Sequence, residues 1–136
     1  MTLLRWVDIE SEEFQINVIE NGKFCKVKAK GDINYRATLF ALVRLISDFS
    51  FDSGYKIIID FEDANIDFTN EEITGLLNYI KHIQEFYTNR FALLLPKMDS
   101  SLSSLIISRF TKAGIRMDFI QGSKNIDIWL KNTPSF

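Results

Sequence analysis

A chain of 136 residues with 16 basic and 18 acidic side chains has a formal charge of −2, which supplies no field to hold a polyanion, so no nucleic acid partner is expected. Its single cysteine, Cys25, excludes an internal disulfide, and with the single histidine, His82, it cannot complete a Cys/His zinc site. A hydrophobic fraction of 46% with 12 Phe and 2 Pro suits one Phe-rich core with few rigid loops.

The opening, MTLLRWVDIESEEF, carries an apolar patch of Leu3, Leu4, Trp6 and Val7, interrupted by Arg5. It matches neither a secretory signal nor a bilayer span, so the cytoplasm is the expected compartment. The patch must pack either on its own domain or in a homodimer.

From Phe14 the residues alternate, with Phe14, Ile16 and Val18 on one face of a half-buried strand. Asn21-Gly22 then predicts a tight hairpin turn, because both central residues of a type I′ turn need positive φ. The return strand, KFCKVKAKG, puts Cys25, Val27 and Ala29 on one face and Lys26, Lys28 and Lys30 on the other. The lysines read as the solvent face of a strand near the sheet edge, and Cys25 as a small core residue.

The spacing of Tyr35, Leu39, Leu42, Val43, Ile46 and Phe49 predicts a first helix over 35–49 with those residues on its buried face. KIIIDF is an unbroken apolar run, as a strand buried on both faces requires. Thr69-Asn70-Glu71-Glu72 opens a second helix, with a hydroxyl cap and acids toward the positive end of the dipole. Its buried stripe is Ile73, Leu76, Leu77, Ile80 and Ile83, which leaves His82 facing solvent. RFALLLP is a further strand. DSSLSSLIISRFTKAG is a third helix, entered through Asp99, Ser100 or Ser101, with Leu102, Leu105, Ile106 and Phe110 inward and Gly114 as its cap. IRMDFI is a strand toward the edge, and a last helix from about Ser123 to Leu130 packs through Ile126, Trp129 and Leu130.

The expected fold is therefore α/β, a mixed sheet of about five strands with an N-terminal hairpin and about four helices in the order ββαβαβαβα. One domain over 1–136 is expected, with residues 1–12 an extension ahead of a core spanning about 14–131.

The hairpin with GKFCKVKAKGDI, the helix ending in FSFDSGYKIIIDF and the three helices separated by two strands resemble the SpoIIAA-like, or STAS, superfamily, which includes anti-sigma factor antagonists. The nearest likeness is to stand-alone bacterial STAS-like proteins, whose fold is also similar to the lipid-transfer CRAL-TRIO domain. The resemblance implies a non-enzymatic regulatory module that binds another protein. Regulatory members carry an Asp-Ser-Ser/Thr-Gly type segment after the third strand, where a serine is phosphorylated. The corresponding DFEDANIDFTNEE has no serine and no glycine, so the phospho-switch is not expected. Asp99-Ser100-Ser101 looks like that motif but follows the next strand, and helix capping accounts for it.

The acids of IIIDFEDANIDFTNEEI are the remaining chemical feature. Asp60 and Glu62, two apart, share a strand face, and carboxylates at a strand's carboxyl end suit a magnesium or manganese site. No phosphate-cradling glycine loop, nucleophile elbow or histidine pattern accompanies them, so no catalytic residue, metal or cofactor is assigned. Asp60, Glu62, Asp63 and Asp67 read instead as a solvated acidic loop. With Thr69, Glu71 and Glu72 they form the expected interaction surface over 60–69 and the start of the second helix, suited to a basic partner. The alternative is a small carrier holding a lipid or other apolar molecule between helices and sheet, lined by Phe40, Phe61, Phe68 and Phe86 among the many aromatics.

Overall fold

A computed structural model describes residues 5–10, 14–21, 24–48, 56–86, 89–97 and 100–132. Three strands open the chain: β1 (Arg5–Glu10), β2 (Phe14–Asn21) and β3 (Phe24–Ile33). They are followed by α1 (Tyr35–Asp48), β4 (Lys56–Ile66), α2 (Asn70–Phe86), β5 (Phe91–Leu94), α3 (Ser100–Lys112), β6 (Asp118–Ile120), a 3-10 turn (Ser123–Asn125) and α4 (Ile126–Asn132).

The chain is α/β, but the strand count and order differ from expectation. Among the described residues six strands lie side by side in sequence order. β1, β2 and β3 pair antiparallel, and β3 to β6 form a four-strand parallel sheet. The additional strand is β1, formed by part of the expected N-terminal extension. Its pairing sets Val7 opposite Val18 and Ile9 opposite Ile16. At the other end of β2, Asn21 pairs with Phe24. The turn expected at Asn21-Gly22 runs into residues outside those described.

β3 is an interior strand between β2 and β4, not one near the edge. Its alternation still holds: Cys25, Val27 and Ala29 are buried, while Lys26 and Lys28 are half-buried on the opposite face. The run of β4 serves both faces of the sheet. Ile57 and Ile59 join the large core with α1, α2 and α3, whereas Ile58 joins a smaller cluster with Ala92, Leu94, Ile120 and Ile126 of α4. Three helices therefore lie on one face and α4 on the other, each buried isoleucine contributing about 1.5–3 kcal/mol by leaving water.

α2 buries Ile73, Leu76, Leu77, Ile80 and Ile83 as its periodicity predicts, and His82 is exposed beside Glu85. In α1 the buried face is Ala37, Thr38, Ala41 and Leu42, and Val43 is 39% exposed. Of the expected stripe Leu42 is buried and Tyr35 and Leu39 are half-buried, while the side chains of Ile46 and Phe49 lie outside the described residues. Asn34 starts α1, its Oδ1 accepting the Ala37 N–H at 2.8 Å. In α3, Ile106 and Phe110 are buried, but Leu105 is 42% exposed. Gly114 ends α3 at φ 74°, and the Ile115 N–H reaches back to the Phe110 carbonyl at 3.2 Å, the geometry of a left-handed helix cap.

Candidate functional site

The acidic segment is strand for most of its length rather than a loop, since β4 runs to Ile66. Lys28 pairs with Asp60, yet Lys30 pairs with Asp63, so β4 places one extra residue against β3. Such a bulge bends the strand and re-aims side chains. Phe61 and Ala64 both remain in the core below α1–α3, and the irregularity falls at Phe61 and Glu62, with Asp63 again paired to Lys30.

Asp60 is not solvated; it is 2% exposed. Its Oδ1 accepts the N–H of Glu62 at 3.0 Å, and Lys26 Nζ stands 3.7 Å from Oδ2. Burial pushes the carboxyl above its ordinary pKa, opposed by the Glu62 N–H and by the charges of Lys26 and Lys28. Glu62 is half-buried, and its Oε2 accepts the Ser123 N–H at 2.8 Å, while its carbonyl accepts the Lys97 N–H at 3.1 Å. Asp63 is exposed and pairs with Lys97 Nζ at 3.3 Å. Glu62 and Asp63 tie the end of β4 to the exit of β5 and, through Ser123, to the turn before α4, while Asp60 engages the Glu62 N–H and Lys26 of β3.

Thr69 and Glu72 bond reciprocally. The Thr69 N–H donates to Glu72 Oε1 at 2.9 Å, and the Glu72 N–H donates to Thr69 Oγ1 at 3.1 Å, a capping box that engages the hydroxyl in starting α2. Asp67 and Glu71 are exposed on either side of it. The rim formed by Asp63, Asp67 and Glu71 is thus carried on a hydrogen-bonded strand end and a capped helix. Among the described residues no group of three or more His, Cys, Asp or Glu side chains is arranged to hold a metal ion. Among the described residues the parallel strands follow one another in sequence order, without the reversal that forms a switch-point crevice.

Of the four phenylalanines named for an apolar ligand, Phe61 and Phe68 come together and Phe40 stands apart from them. Phe61 is buried in the core, Phe68 is half-buried edge-on to Tyr35 with ring centroids 6.0 Å apart, and Phe40 is 50% exposed on α1. The Phe86 side chain lies outside the described residues. Phe61 and Phe68 line an apolar void of about 30 Å³ between the sheet, α2 and α3, which is the scale of a water molecule. Sites for lipid-sized ligands run to several hundred Å³.

A larger cleft, about 400 Å³, lies where α3 turns into β6 and is lined by Arg90, Phe91, Thr111, Arg116, Asp118 and Phe119 among others. Sequence reading missed it because its residues come from three separate segments. The available signal was an arginine just before each of two consecutive apolar strands, Arg90-Phe91 and Arg116-Met117.

Among the described residues no helix is long and apolar enough to cross a membrane. Comparison of the chain with protein-family models and with curated proteins found no match.

Proposed function

We propose that this chain is a non-enzymatic STAS-like module that acts by binding another protein through the acidic rim at the end of β4 and the start of α2. The observation that carries this reading is the division of labour among the acids. Asp60 and Glu62, the pair best placed for chemistry, are drawn into the strand-end contacts, while Asp67 and Glu71 are exposed and Asp63, also exposed, shares its charge with Lys97. An exposed acidic rim favours association with a basic patch and raises the encounter rate more than the affinity.

Support for the STAS-like reading comes from the resemblance of the sequence over the hairpin and the strand entry at 54–61, together with the α/β architecture. The Thr69 hydroxyl acts as a helix cap, which accounts for the one hydroxyl in the segment without a phospho-switch. The test is affinity capture from the source lysate by the wild type and by the Asp63→Lys/Asp67→Lys variant. The variant is expected to lose partners that the wild type retains while still folding, its melting temperature lowered only by the loss of the exposed Asp63–Lys97 pair. Identical capture by both overturns the reading.

A further inference from the structure

The cleft between α3 and β6 has the volume of a small-ligand site, about 400 Å³. It shares no residue with the acidic rim or with the apolar void below α2. One wall is apolar, built from Phe91 of β5, Ile115 and Met117 of the turn, and Phe119 of β6. Phe119 is fixed edge-on against Phe110, ring centroids 6.0 Å apart, so this wall is preformed.

The polar side is cationic in balance, since the lining contains two guanidinium groups, Arg90 and Arg116, and one carboxylate, Asp118. Arg90 Nη2 lies 3.1 Å from Asp118 Oδ2. That same oxygen accepts the Trp129 Nε1–H at 2.9 Å, so Asp118 keeps a donor if Arg90 shares its fork with a ligand. A guanidinium offers five N–H donors in a plane, the geometry that grips a carboxylate. Arg116 is fastened to α2: its N–H and Nη2 donate to Gln84 Oε1 and O at 2.9 and 3.0 Å, and Gln84 Nε2 donates back to the Arg116 carbonyl. The two arginines thus stand on a braced frame beside an apolar wall.

We infer that this cleft binds a small organic carboxylate with an aromatic or branched apolar body, the carboxylate on Arg90 and the body against Phe91, Met117 and Phe119. The cationic excess selects an anion, and the apolar wall selects against a fully hydrated inorganic one.

Amide NMR titration of the full chain tests this, with benzoate as probe, benzyl alcohol as the uncharged control and inorganic phosphate as the charge without a body. Benzoate is expected to give saturable shifts at residues 89–91 and 115–119, with both controls weaker by about tenfold or more. Arg90→Met, which keeps the packing of the stem, is expected to weaken benzoate by a similar factor. Thr111→Trp, which fills the cleft from an exposed helix position, is expected to abolish it. No saturable shift up to the solubility limit of benzoate, shifts centred on other residues, or equal binding by either variant overturns the inference.

Discussion

The backbone N–H of Glu62 donates to Asp60 Oδ1 at 3.0 Å, so the buried acid of β4 closes the bulge that follows it. The carboxylate is held in the sheet by a bond that a neutral amide oxygen would serve equally well, and this separates the worth of its shape from the cost of its charge.

Asp60→Asn retains an acceptor for the Glu62 N–H and removes a buried charge, so its stability at neutral pH is expected within about 1 kcal/mol of the wild type. Asp60→Leu leaves the Glu62 N–H without that acceptor and is expected to cost about 1–3 kcal/mol. The raised pKa fixes the sign of the pH dependence. A carboxyl whose folded pKa lies above its unfolded value favours folding fully below about pH 4 and loses that contribution as pH rises through the folded pKa. The stability of the wild type relative to Asp60→Asn should therefore fall from acid to neutral pH in urea titrations; a rise contradicts the assigned burial cost.

Gly75 of α2 faces Tyr35 of α1 so closely that an added Cβ would lie 2.5 Å from the tyrosine oxygen. In the Tyr35→Phe background Gly75→Ala is expected to stabilise by about 1 kcal/mol, the helix-propensity gain. With Tyr35 present the same substitution is expected to lose that gain or destabilise. A double-mutant cycle by denaturant melts should show a coupling of about 1 kcal/mol or more. Additivity would mean that the helices do not approach in this way.

Thr69→Ala removes one half of the capping box and is expected to cost about 1 kcal/mol, with Thr69→Ser restoring most of it. Because Thr69 and Glu72 satisfy each other's N–H groups, combining Thr69→Ala with Glu72→Ala should cost less than the sum of the single losses. Thermal melts of the four proteins give the comparison.

Much of this architecture is written in the residues, and the departures have physical causes. The five-residue stripe of α2 and the Cys25-Val27-Ala29 alternation are unambiguous because each element buries a single face in one phase. β1 is hidden in the sequence because Arg5, Asp8 and Glu10 interrupt its apolar residues, and only the pairing with β2 shows it to be a strand. In α1 the large residues define a stripe, yet the small Ala37 and Ala41 are buried beside Leu42, which the spacing of large residues alone does not mark. The acids of β4 looked like a loop because the bulge breaks the alternation after Phe61, so Ala64 and Ile66 fall out of phase with Ile57 and Ile59. Thr69 was readable as a cap from local sequence. The Glu62 and Asp63 contacts were not, since Ser123 and Lys97 are remote along the chain.

The most direct test of the proposed interaction is a hydrogen-exchange footprint of the complex formed with a captured partner. Protection concentrated on residues 63–72, and lost in the Asp63→Lys/Asp67→Lys variant, is the predicted result. Protection that leaves those residues unchanged and falls instead on β3 around Lys26–Lys30, or on α4, would contradict the account.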